Sequence, residues 1–145
     1  MKATAEADLQ PIPFSHKRHS QVGMKCDVCH QKLETGEQLQ IPGVAECMSC
    51  HQSIMKDSLA MQKLAQLEKE SRPLSWTRLY RLPEFVFFSH PRHLSAKVDC
   101  EVCHGPVYGR DYLWQEKDIS MGACVDCHKL RKASISCNIC HDMGH

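Results

Sequence analysis

The sequence predicts a mainly α-helical protein with extensive irregular loops and little or no β-sheet. Three observations point there. One segment, Ser53 to Ser71, is rich in helix formers and lacks Gly and Pro; Ala60, Leu64 and Leu67 form a stripe at i, i+4, i+7, with Met55 and Leu59 beside it. No run alternates polar and apolar residues over a useful length, so nothing supports a sheet of any size. Ten cysteines and ten histidines are crowded into short clusters in a 145-residue chain whose aromatic content is only 6%. Such a chain buries a thin apolar core and needs staples or a bound group to hold it.

The elements follow in order. The first ten residues, MKATAEADLQ, contain no apolar stretch of the kind a secretion signal needs. A removed signal, or a processed or engineered start, is the expectation. Short helical turns are expected at each cysteine pair. Ser53 is the candidate N-cap of one helix of four to five turns, which Pro73 ends. The segment PLSWTRLYRLPEFVFF then reads as extended, with Pro83 interrupting it. Loops carry Gly36, Gly43, Gly105, Gly109 and Gly122.

Composition also excludes partners. A net charge of +1 with no dominant basic tract argues against nucleic acid. The longest apolar run, Phe85–Phe88, is far short of a membrane span, so no transmembrane segment is expected.

The cysteines carry the chemistry. They fall as Cys26/Cys29, Cys47/Cys50, Cys100/Cys103, Cys124/Cys127 and Cys137/Cys140, every pair C-x-x-C. Every pair is followed at once by a histidine: His30, His51, His104, His128 and His141. C-x-x-C-H is the attachment pattern of c-type haem. Two thiols two residues apart reach one porphyrin edge and add to its vinyl groups. The adjacent histidine then lies under the ring and binds iron. Structural zinc takes four ligands from two cysteine pairs, or from one pair and distant histidines, and has no use for a histidine abutting each pair. Disulfides ignore it too, and thioredoxin-like pairs come singly. The sequence therefore predicts five covalently bound haem c groups with iron, serving as the core of a small haem-cored multihaem cytochrome c. Without them the chain is expected to be largely unfolded.

Five histidines remain: His16, His19, His90, His93 and His145. Five haems each with a second axial histidine need that number. Four of them form H-x-x-H turns inside a near repeat, FSHKRHSQVGMKCDVCH at Phe14–His30 and FSHPRHLSAKVDCEVCH at Phe88–His104. At i and i+3 on one turn, two imidazoles project in nearby directions and can reach two irons. Phe14 and Phe88 are expected on porphyrin faces.

The pattern F-x-H-x-x-H, a short gap, then C-x-x-C-H resembles the class III cytochromes, the cytochrome c3 and c7 families. That resemblance implies His16 opposite His30, and His90 opposite His104. It further implies that His19 serves the haem of Cys47/Cys50 and His93 that of Cys124/Cys127. For the haem on Cys137/Cys140 two alternatives stand. His145 is the spare histidine, but it lies four residues past His141, too close to grip the opposite face of the same iron, so it would serve a neighbour. Met121, where the c7 family has a distal histidine, is the other candidate.

The second half, WTRLYRLPEFVFFSHPRH, then CEVCHGPV, then ISMGACVDCHK, is similar to the multihaem cytochrome subunit of alternative complex III and of the related menaquinone reductase complex. This implies redox protein partners, among them membrane quinol-oxidoreductase or iron–sulfur subunits. The domain reading is an N-terminal dihaem module over 1–55, a helix and linker over 56–83, and a C-terminal trihaem module over 84–145. Together they form one haem-packed unit. Lys17, Arg18, Arg92 and Lys129 are candidates to pair with haem propionates. Iron ligated on both sides exchanges electrons and binds no substrate. The function predicted is electron transport, not enzymatic turnover, within a respiratory chain in the periplasm or another extracytoplasmic space. The alternatives are a multihaem reductase with one open haem, or a subunit of a polymeric cytochrome wire.

Overall fold

The structure, a computed structural model, describes residues 9–31 and 38–143. His145 lies outside the described residues, as does Gly36. Seven α-helices and two 3-10 turns are present among the described residues, with no sheet. An isolated β-bridge pairs Val86 with His141. The mainly α, loop-rich expectation holds.

The helices are α1 (His16–Gln21), α2 (Cys26–Cys29), α3 (Val44–His51), α4 (Leu59–Lys69), α5 (His90–Ser95), α6 (Cys100–His104) and α7 (Met121–Leu130). The 3-10 turns are Val107–Gly109 and Cys137–Ile139. Most are one or two turns long, too short to persist alone, so each must be held by its caps and by what it packs on. Ser15 and Ser89 cap α1 and α5 by accepting from Arg18 N and Arg92 N. Ser120 caps α7 through Ala123 N.

The long helix is shorter than its sequence predicts. It begins at Leu59, not after Ser53, because Ser58 takes the cap role and accepts from Met61 N at 3.3 Å. Upstream, Met55 adopts φ 55°, a left-handed conformation no helix tolerates. The stripe is displaced accordingly. Leu64 is buried, and Ala60, Met61 and Leu67 pack beside it, whereas Leu59 and Met55 face solvent. The helix ends at Lys69; Ser71 turns left-handed at φ 53°, and Pro73 follows.

α4 packs on α3. Ile12, Met48, Leu64 and Leu74 form the buried apolar cluster, flanked by Val44, Cys47 and Trp76. Trp76 Nε1 donates to the Pro42 carbonyl at 2.7 Å, which anchors the extended segment after α4. The Gln10 side chain both donates to Thr77 O and accepts from Thr77 N, at 3.0 Å each, so it pairs with that strand-like stretch as a backbone would. Lys63 reaches the Pro11 carbonyl. The entire buried apolar cluster thus lies within residues 12–74.

The second half is held by polar contacts. Arg110 grips Glu116 with two hydrogen bonds, at 2.7 and 2.9 Å. The Tyr80 hydroxyl accepts from Glu116 N at 3.0 Å and from Lys117 N at 3.4 Å. Phe87 N donates to Cys140 O at 2.8 Å, fastening the last cysteine pair to the segment before α5.

Candidate haem-binding site

Three of the five cysteine pairs sit on or beside the shortest elements, and the other two lie in longer helices. Cys26 and Cys29 begin and end α2; Cys100 and Cys103 lie on α6; Cys47 and Cys50 close α3; Cys124 and Cys127 lie in α7; Cys137 and Cys140 flank a 3-10 turn. All ten thiols are free, none is fully buried, and no disulfide joins a pair.

The histidines pair across gaps. His16 faces His30 with ring centres 6.4 Å apart and planes within 10° of parallel. His90 faces His104 at 6.5 Å and 8°. His19 stands 6.1 Å from His51, and His93 stands 6.1 Å from His128. None of these rings touches its partner in the manner of a stacked pair. A metal–imidazole bond is about 2 Å and a ring nitrogen lies roughly 1 Å from its ring centre, so two imidazoles on opposite sides of one metal ion stand about 6 Å apart. Each of the four gaps matches one intervening metal. Among the described residues no three or more His, Cys, Asp or Glu side chains close on a common point, as a zinc site would require.

Ring nitrogens are assigned by their partners. A carbonyl oxygen can only accept, so a histidine bonded to one carries its hydrogen on Nδ1 and leaves the Nε2 lone pair for a metal. His30 donates to Gln40 O at 2.8 Å, His51 to Ile54 O at 2.9 Å, His128 to Ser134 O at 2.7 Å and His141 to Phe85 O at 3.1 Å. His19 and His93 donate to Ser15 O and Ser89 O, at 2.8 and 2.7 Å. The serine that caps each helix thus also aims the second histidine of its H-x-x-H turn. His104 instead meets the Tyr80 ring edge-on at 4.6 Å. These acceptors and Tyr80 escaped the sequence reading; only the paired serines, as repeated cap residues, left a signal there.

Burial reinforces the assignment. It holds His16 well below the usual imidazole range, at about 4, with the neighbouring His30 and His19 adding to the effect. His104 is lowered for the same first reason, then by His90 and His30. Both rings are therefore neutral at physiological pH, as a ligand must be.

The thiols mark which sites adjoin. Burial raises the Cys29, Cys47, Cys100, Cys103 and Cys124 thiols, and a neighbouring thiol is the next contributor in each. Cys29 feels Cys50, and Cys47 feels Cys29. Cys100 feels Cys26. Cys103 feels Cys127, while Cys124 feels Cys103 and Cys140.

Phe14 and Phe88 lie stacked on His19 and His93, each at 4.5 Å, and edge-on to His16 and His90, so they brace the histidines of their own turn. Lys17, a candidate for a propionate, pairs with Asp111 at 3.7 Å. The fifth site differs from the other four: His141 has the Phe85 ring beside it at 5.9 Å, tilted by 36°. Met121 is exposed at the start of α7.

Comparison with known proteins agrees with this geometry. The class III cytochrome C family model matches residues 1–75, and the model for cytochrome c7 and related cytochrome c matches residues 86–142. No curated protein matches the chain. The two matches together define a multihaem c-type cytochrome, and the chain belongs to the class III cytochrome c family. Its class carries covalently bound haem c and transfers electrons to redox partners; class III cytochromes are typically periplasmic. No described helix is long and apolar enough to cross a membrane.

Proposed function

We propose that the chain binds five haems c and conducts electrons from a donor to an acceptor protein, in the periplasm or another extracytoplasmic space. The thioether positions are the ten cysteines. The motif histidines His30, His51, His104, His128 and His141 are the proximal ligands. His16, His19, His90 and His93 are the distal ligands of the first four sites, in the pairs set by the ring gaps. The fifth takes Met121, or a histidine that His145 displaces from a neighbouring site. Residues 1–55 form a dihaem module and 84–145 a trihaem module, joined by the helix and linker of 56–83.

The observation that carries this reading is the set of four imidazole pairs at a one-metal separation, each containing a motif histidine. Haem supplies a one-electron couple whose potential follows the axial ligands and their hydrogen bonds. The protein's part would be to present neutral imidazoles to the iron, His19, His30, His51, His93, His128 and His141 being oriented through Nδ1 bonds to backbone carbonyls, and so deny it a substrate. The likeness of the second half to cytochrome subunits of quinol-oxidising complexes favours a membrane quinol-oxidoreductase or iron–sulfur subunit as donor.

The mass of the native protein tests the count, with an excess of five haems expected. Near-infrared spectra of the oxidised protein then separate the ligand sets. A sulfur-to-iron band assigns Met121 to the fifth site, and its absence assigns histidine. Carbon monoxide uptake by one reduced haem would replace the conduit with a reductase. Concentration-dependent loss of one bis-histidine signal would replace it with a polymeric wire.

A further inference from the structure

The near repeat is not used twice in the same way. Ser15 and Ser89 occupy equivalent places, and both cap their helix. Only Ser15 also donates to Asp111 Oδ1, at 2.7 Å. Lys17, where the second copy has Pro91, places its Nζ 3.7 Å from Asp111 and donates its backbone N–H to Arg110 O at 3.0 Å. Ser20, where the second copy has Leu94, brings its hydroxyl within 2.8 Å of Tyr108 O. Within Phe14–Ser20 the first copy departs from the second only at Lys17 and Ser20, and both dock α1 onto residues 108–111, immediately after the Cys100/Cys103/His104 site.

We propose that Ser15, Lys17, Ser20 and Asp111 are positioning residues that join the two halves at the first and third sites, so that the five sites form one line in the order second, first, third, fourth, fifth. The inference rests on the haem reading above. Geometry supplies each link. His16 and His19, one helical turn apart, face His30 and His51 and so tie the first site to the second. His90 and His93 tie the third to the fourth in the same way. The docked helix ties the first to the third. The fifth follows the fourth through the short loop that bonds His128 to Ser134 O and Ala133 N, and Phe87 and Val86, just ahead of α5, fasten its other side. The ends of the line are therefore Cys47/Cys50 and Cys137/Cys140, where redox partners meet the chain. Neither end is the first site in the sequence.

An iron anomalous map of the holoprotein decides the order. The expected result is that the iron nearest the first, apart from the second, is the third, and that the fifth is nearest the fourth. A first iron nearer the fourth or fifth overturns the proposal. Fewer than five irons would sink the haem count separately, while the spacing of the first and third would still decide the junction. The device is tested by Asp111→Ala combined with Ser20→Ala. All five haems should remain by mass, while electron equilibration between the halves after flash reduction slows severalfold; Asp111→Glu alone should stay near the unaltered rate. Unchanged equilibration in the double variant with its full haem content overturns the positioning role. If that variant loses haem, Lys17→Ala, which removes only the outer charge, gives the same readout.

Discussion

The halves of this chain carry the same turn and cysteine spacing but stand on different physical supports. Residues 9–76 enclose Ile12, Met48, Leu64 and Leu74, a small apolar cluster built by α3, α4 and the extended stretch after them. Residues 77–143 contain no buried apolar residue; Phe85, Phe87, Tyr108, Leu130 and Ile139 are exposed, and the polypeptide is tied by Arg110–Glu116, Tyr80 and the Phe87–Cys140 bond. Exposed apolar side chains in that number have an occupant to cover, and under the haem reading proposed above the occupant is porphyrin. The lesson is that a repeated ligand pattern does not repeat its scaffold. One half has a core of its own, and the other borrows one from its cofactors.

The largest effect should come from withholding haem. Chain made without haem attachment should keep amide protection in α3 and α4 and lose it across 86–143, measured by hydrogen exchange. Equal protection in both halves would erase the contrast. Next comes the core itself. Leu64→Ala should cost about 2–5 kcal/mol in denaturant unfolding of the holoprotein, whereas Leu59→Ala on the same helix, a side chain 85% exposed, should be nearly silent.

Two glycines sharpen the comparison further. Gly23 and Gly105 both have positive φ, at 85° and 72°. A Cβ at Gly23 meets open space, but at Gly105 it falls 3.0 Å from Glu116 Oε2, a carboxylate that Arg110 prevents from moving away. Each alanine should cost roughly 1–2 kcal/mol of backbone strain. Gly105→Ala should lose more than Gly23→Ala in thermal unfolding, by the added crowding next to His104.

The smallest effect is on pH. Asp111 is held below its usual range by the Ser15 hydroxyl, then by Lys17, and Glu116 by the Arg110 bonds. A carboxylate depressed in the folded state stabilises it above the unfolded pKa, and the contribution fades as pH falls through the folded value. Stability should therefore decline below the ordinary carboxylate range. Asp111→Asn should flatten that decline, in thermal melts followed across acid pH. Both pairs lie near the surface, so salt should weaken the effect.

Much of the site was legible before any coordinates. C-x-x-C-H is local chemistry: attachment and the proximal ligand are set by adjacent residues, so spacing alone reports them. The H-x-x-H turns report that two imidazoles leave one helix together. Their destinations were less visible, because His19 and His51 or His93 and His128 meet only when separate helices pack. The Nδ1 acceptors could not be read at all, since any residue offers a carbonyl and only the path of the chain decides which one arrives. The start of α4 was misplaced for a similar reason: Ser53 and Ser58 are equal as caps on paper, and the left-handed turn at Met55 chose between them.

By itself, then, the sequence pointed to covalent haem and to most of the atoms proposed to bind it, because covalent attachment and helical pitch act over a few residues. The tertiary structure decided which half owns an apolar core, which carbonyls orient the imidazoles, and where the halves meet. Ser15 and Asp111 are 96 positions apart, and a contact across that distance is chosen by the packing of the whole chain, which no local pattern encodes.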